Sequence, residues 1–213
     1  MIAAPGLKFI LTGAVITLFL VFLAASRDSL ALFILSAVFA LLTIFMAFFY
    51  RNPSRQAPTD TNLIISIADG RVLSIEKTSH PFIGGAGNKV SIFLSVFNVH
   101  INRTPVAGRI EYVKYNPGKF FAAFKDKASN ENEQTEIGIS FPAGKLIFKQ
   151  IAGVLARRIV CRLKDGQSVK AGETFGLIHF GSRAELFLPE NVEILVEPGA
   201  CVKGGVTAIG RIK

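Results

Sequence analysis

His179 and Ser182 stand three positions apart in the run Leu177-Ile178-His179-Phe180-Gly181-Ser182-Arg183, and the Gly181-Ser182 pair inside it has a reactivity of its own. A serine hydroxyl can add to the carbonyl of the preceding residue through a five-membered ring, exchanging an amide for an ester. Glycine before the serine adds no Cβ and tolerates backbone angles that other residues resist, so a strained turn is accessible there. The plain alternative is a turn between two strands. His100 is the second group able to move a proton. It closes an apolar stretch within Phe97-Asn98-Val99-His100-Ile101-Asn102-Arg103-Thr104-Pro105, where donors, acceptors and a charge crowd a strand exit. Alone it would read as a strand-edge histidine bonded to a backbone carbonyl. His80, before Pro81 in a glycine-rich segment, reads as a surface loop residue.

Other chemistries are poorly served. Gly84 to Gly87 is too short for a phosphate-cradling loop and no Gly-Lys-Ser/Thr follows, so nucleotide binding is unsupported. Cys161 and Cys201 lie forty positions apart without a Cys-x-x-Cys or a nearby histidine, which leaves no disulfide framework or metal site and makes both ordinary buried or half-buried thiols. Nothing suggests the lysine and phosphate cup that pyridoxal phosphate would need.

The elements that must carry these residues form two parts. Phe9 to Ala25 is seventeen residues without a charge and Leu30 to Tyr50 is twenty-one, separated by Ser26-Arg27-Asp28-Ser29. A helix crosses the hydrocarbon core in about twenty residues, so residues 1–50 read as a transmembrane helical hairpin with a tight turn. A cleaved signal peptide or an interfacial first segment are the alternatives for the first run. Lys8 and the amino terminus flank one end of the hairpin and Arg51 and Arg55 the other, which places the termini, and the domain that follows, on the cytoplasmic face of the cell membrane. Residues 51–60, with two prolines and no apolar period, read as a linker.

From residue 61 to 213 short apolar or alternating runs recur between glycines: Leu63 to Ile67, Val72 to Glu76, Lys89 to Phe97, Arg109 to Lys114, Lys145 to Gln150, Ile159 to Leu163, Glu185 to Leu188 and Val192 to Val196. They predict a mainly β domain, a β-sandwich or barrel-sandwich. Phe120 to Glu136 is the one stretch expected to be helical or irregular. Lys164 to Gly176 places glycines and charges for paired tight turns, as in lipoyl-like hairpins, but has no lysine at a turn tip, so a carrier role is disfavoured. Mean hydropathy is +0.44. Of the net charge of +9, all but one unit lies after residue 50. Such a surface suits anionic lipid headgroups. Nucleic acid is not expected, because no basic stripe interleaved with aromatics and no groove-binding motif occurs.

The chain resembles the phosphatidylserine decarboxylase proenzymes of the short, prokaryotic type. The resemblance rests on four pieces in the family's order: Ala68-Asp69-Gly70; Phe97 to Pro105; Tyr115-Asn116-Pro117-Gly118-Lys119-Phe120 with Asp126-Lys127-Ala128-Ser129-Asn130-Glu131-Asn132-Glu133; and Phe180-Gly181-Ser182-Arg183 with Leu186-Phe187-Leu188-Pro189. It implies scission between Gly181 and Ser182 into a large chain, 1–181, and a small chain, 182–213, which stay together as a heterodimer, with further assembly left open. It also implies conversion of Ser182 into a covalent pyruvoyl group, with no metal and no pyridoxal phosphate. That group, condensed with the substrate amine, would accept the electrons left when phosphatidylserine loses CO2. By the same resemblance Asp69 orients a histidine and His100 is the base that activates Ser182. Longer members carry two histidines before the proline, where this chain has only His100 with Arg103, so His179 is a second candidate for proton delivery. Arg183 replaces a small hydroxyl residue and could meet a substrate carboxylate or phosphate. Two other readings stand beside this one: a non-catalytic, membrane-tethered lipoyl-like adaptor, and a pyruvoyl decarboxylase of another amino-acid-type substrate.

Overall fold

A computed structural model describes residues 1–123, 128–154, 159–179 and 181–213. They form two compact units, Met1–Ser54 and Arg55–Lys213.

The first unit is two helices, α1 (Ala4–Arg27) and α2 (Leu30–Phe49). Pro5 starts α1 at the one place where its missing N–H is harmless, and Asp28 ends it in a left-handed conformation with φ 44°. The next turn begins at once, so the helices run back antiparallel. Small residues let them approach: a Cβ on Gly6 would collide with the ring of Tyr50, and one on Gly13 with the hydroxyl of Thr43. The open ends are tied together by Ala3 N–H to Tyr50 O (2.8 Å) and Asn52 N–H to Met1 O (2.7 Å). Both chain ends therefore leave from the same end of the hairpin. Leu11, Val15, Leu18, Phe22, Leu41 and Ile44 point outward, each more than three-fifths exposed. Helices apolar on their outer faces suggest membrane anchoring.

The second unit is mostly β. Its strands are β1 (Leu63–Ile65), β2 (Gly70–His80), β3 (Gly85–Leu94), β4 (Ile101–Arg103), β5 (Gly108–Asn116), β6 (Gln134–Phe141), β7 (Gly144–Ile151), β8 (Ile159–Cys161), β9 (Ser168–Val169), β10 (Thr174–Ile178), β11 (Ser182–Pro189), β12 (Val192–Ile194), β13 (Cys201–Val202) and β14 (Ala208–Ile212). Eight pair antiparallel in the order β13-β2-β3-β11-β7-β6-β5-β9; β1-β14-β12 and β4-β10-β8 form two smaller sheets. The large sheet curls around one core because alternate residues of its central strands are apolar and buried. Val90, Ile92 and Leu94 of β3, Ala184, Leu186 and Leu188 of β11, and Leu146 and Phe148 of β7 share that inner face. The expected mainly β domain with two long apolar helices is what the chain forms.

Three local readings need correction. Gln134 to Glu136 open β6 instead of belonging to an irregular stretch, while Ala128–Glu131 makes a single helical turn and residues 124–127 lie outside the described residues. His80 ends β2 opposite Gly85 rather than sitting in a loop, and its Nδ1 accepts from Phe82 N–H. Cys201 is exposed, not buried; both thiols are free, and burial pushes that of Cys161 up. The paired turns around Gly166 and Gly172 form as expected, with φ of 78° and 76°.

Candidate active site

Register brings the chemistry-bearing residues to one end of the large sheet. Phe93 near the end of β3 faces Arg71 of β2 on one side and Arg183 of β11 on the other, and Arg183 also faces Ile151, the last residue of β7. Asp69, just before β2, and Ser182, first in β11, therefore flank the same strand end. In the small sheet Leu177 pairs with Ile101, and Ile178 N–H donates to the His100 carbonyl (3.3 Å), so the segment carrying His100 runs beside the one leading into Gly181.

At the junction Gly181 has φ +60°, in the left-handed region that favours glycine. Ser182 is fully buried, and its Oγ has no hydrogen-bond partner among the described residues. A buried hydroxyl left unbonded costs about 1–3 kcal/mol, so its retention calls for a purpose other than stability. Phe180, part of the quoted motif, lies outside the described residues.

His100 is fully buried, with Nδ1 2.9 Å from the Asn98 carbonyl. A carbonyl only accepts, so Nδ1 carries the hydrogen and the neutral ring keeps its lone pair on Nε2. The acceptor that orients the ring through Nδ1 is thus backbone, where the resemblance implied Asp69. The Asp69 carboxylate is instead gripped by Arg55, with Nη2 to Oδ2 at 2.8 Å and a second, shorter contact from Nη1, and it accepts from Gly204 N–H at 2.9 Å.

Arg103 is nearly buried beside this pair. Its Nη1 donates to Gly172 O (3.0 Å), and burial, then the charge of Arg55, pulls its guanidinium below the usual value against the opposite pull of Asp69. His179 is buried at the exit of β10. Arg183 is placed differently from its expected role at a substrate anion. Its guanidinium is buried, 2.9 Å from Glu185 and donating to Ser91 Oγ at 2.8 Å.

Arg55, Glu185 and Ser91 are polar partners of the candidate residues that sequence reasoning missed. Arg183 and Glu185 are two apart and so share a strand face, a readable signal. Arg55 offered none, because its position in a proline-containing linker pointed to the bilayer. Among the described residues no three His, Cys, Asp or Glu side chains gather as a metal site would require. The Ser182 hydroxyl, buried and unbonded among the described residues beside a glycine carbonyl, fits the source of the pyruvoyl group that the resemblance implies. An apolar cavity of about 380 Å³, bordered by Leu63, Ile65, Phe141 and Ile212, opens at the β6–β7 turn, the opposite end of the sheet from Ser182.

Comparison with known proteins gives a consistent picture. The family model described as phosphatidylserine decarboxylase matches residues 42–210. A phosphatidylserine decarboxylase proenzyme of Pelobacter propionicus is 41% identical over 212 residues, covering 99% of this chain and 96% of the relative. One of Carboxydothermus hydrogenoformans is 50% identical over 175 residues, 81% of this chain and 82% of the relative. One of Desulfotalea psychrophila is 42% identical over 213 residues, with 99% and 96% covered.

Proposed function

The chain belongs to the phosphatidylserine decarboxylase family, and from that premise we propose that it is made as a proenzyme that splits itself at Gly181-Ser182 and then converts phosphatidylserine to phosphatidylethanolamine and CO2. The observation that carries the reading is the buried Ser182 Oγ, without a hydrogen-bond partner among the described residues, next to a left-handed Gly181 at the sheet end where His100 and Asp69 also lie. The adaptor reading gives no reason for such a hydroxyl, and membership in a carboxy-lyase family argues against it.

In this mechanism Ser182 Oγ adds to the Gly181 carbonyl carbon while His100 Nε2 takes the hydroxyl proton and hands it to the departing amide nitrogen. An ester now links residues 181 and 182. Removal of the α-proton of residue 182 expels Gly181 as a carboxylate. Water then displaces ammonia from the resulting enamine, leaving a ketone at the amino terminus of the small chain. One water enters and one ammonia leaves. The Asn98 carbonyl holds the His100 ring, and Asp69 is held by Arg55 at the same end of the sheet in the uncleaved chain. The pyruvoyl group, once formed, supplies an electron sink for the carbanion left by decarboxylation. The strands flanking β11 keep the 32-residue small chain in place, so cleavage need not separate the two chains.

The hairpin and the basic surface serve a lipid substrate. The anchor keeps the enzyme at the bilayer, with the catalytic unit on the cytoplasmic face. Each basic residue near an anionic surface adds about 1 kcal/mol of attraction. Full-length protein in vesicles holding carboxyl-labelled phosphatidylserine is expected to release labelled CO2 and form phosphatidylethanolamine, with free serine turned over at least about 100-fold less efficiently for want of the glycerophosphate and acyl contacts. Equal turnover of free serine would shift the substrate to a soluble amino acid.

A further inference from the structure

The scissile carbonyl has a seat. As β7 ends at Ile151, the chain passes through Ala152 and Gly153 directly against Gly181. A Cβ built on Gly153 would fall well inside the contact radius of the Gly181 carbonyl oxygen and 2.9 Å from its carbon. Both atoms belong to backbone, which has no soft way to yield. Most glycines of this domain meet strand backbone or a side chain in the same way, but this one meets the carbonyl that must be attacked.

The seat is itself held by a clamp. Ala152 N–H donates to the Glu133 carbonyl (2.9 Å), and the Ala152 carbonyl accepts from Asn132 Nδ2 (2.8 Å). Asn132 is buried; the same amide nitrogen donates to Phe121 O and its Oδ1 accepts from Phe121 N–H, each at 2.8 Å. Glu133 N–H donates to Lys119 O (3.0 Å), and Gly118 packs onto the Asn132 backbone too closely for any side chain. One asparagine thus ties the Gly118–Phe121 segment to the backbone touching the scissile bond.

We propose that Gly153 and Asn132 are positioning residues for self-cleavage: the Gly153 backbone fixes the direction of the Gly181 carbonyl, and Asn132 fixes the Gly153 backbone. The proposal rests on cleavage at Gly181-Ser182 and adds what aims the carbonyl. Addition of Ser182 Oγ converts that carbonyl oxygen into an oxyanion, so its direction decides whether hydroxyl and carbon meet in line, and a misplacement of about 1 Å costs on the order of 100-fold.

The test follows cleavage of newly synthesised full-length chains in membranes, by size under denaturing conditions. Gly153→Ala is expected to slow scission by about 100-fold or more, because the added methyl forces the Gly181 carbonyl out of its seat. Asn132→Asp, which keeps the bond from Phe121 N–H but gives up both donations, is expected to slow it about tenfold or more; should Gly153→Ala fail to fold, this variant decides. A spectroscopic readout separates aiming from general loosening. In the uncleavable Ser182→Ala chain, carbonyl-labelled glycine with nitrogen-labelled alanine gives the peptide bond after Gly181 a signal absent from the parent chain. The seat variant is expected to move it while leaving the signals of the other three Gly-Ala pairs in place. Scission within about threefold of wild type, or an unmoved signal, overturns the proposal while wild-type cleavage leaves the underlying mechanism standing. Wild-type chains that never cleave overturn both.

Discussion

The Ser182→Ala chain stays one polypeptide of 213 residues under denaturing conditions and releases no CO2 from phosphatidylserine above background, while the parent chain separates into two pieces. The expected effect is all or none, because no other hydroxyl lies on that bond. The substitution is also unusually clean. Ser182 Oγ is buried and makes no hydrogen bond among the described residues, so removing it takes away no bond and relieves an unsatisfied polar group. The variant is expected to unfold at the parent temperature or slightly above it, so the loss of scission can be assigned to chemistry and not to misfolding. A Ser182→Ala chain that still split between residues 181 and 182 would remove the hydroxyl from the mechanism.

Replacing His100 slows scission by about 10²–10⁴-fold, the range that a positioned general base contributes. His100 is fully buried, so alanine leaves a cavity and glutamine nearly fills it. Both variants are expected to be slow for the same reason, the lost lone pair at Nε2. They differ in rescue: added imidazole restores part of the rate to His100→Ala, where there is space for it, and none to His100→Gln. Cleavage is read from the ratio of whole to split chains over time. Normal maturation of both variants would pass the base role to another group, and His179, buried three residues before Ser182, would be the first to test.

Much of the fold was legible because long, alternating apolar runs leave few choices. Val90, Ile92 and Leu94 against Ala184, Leu186 and Leu188 write a two-sided sheet interior directly into the chain, and the uncharged runs write the hairpin. The strands that escaped notice are short or interrupted. β6 is broken by Gly138, β14 by Gly210 and β10 by Gly176, where any Cβ would meet the Val160 carbonyl, while β4 is three residues of mixed polarity and β9 and β13 are two residues each. Local composition says little about such strands, since their pairing partners define them. The site divides in the same way. Ser182 and His100 were readable as residue types, whereas the partners of Asp69 depend on Arg55 folding back from a proline-containing segment and on Gly204, 135 positions away. Only the closed structure brings those together, and the same holds for Gly153 at the Gly181 carbonyl.

The most direct measurement is the mass of the small chain released by denaturing the purified, active enzyme. The mechanism predicts residues 182–213 lighter by one ammonia than the serine-headed peptide, with an amino terminus blocked to sequential degradation, beside a large chain ending in an ordinary Gly181 carboxylate. A fully active preparation consisting of intact 213-residue chains, or a small chain that begins with unmodified serine, would contradict it.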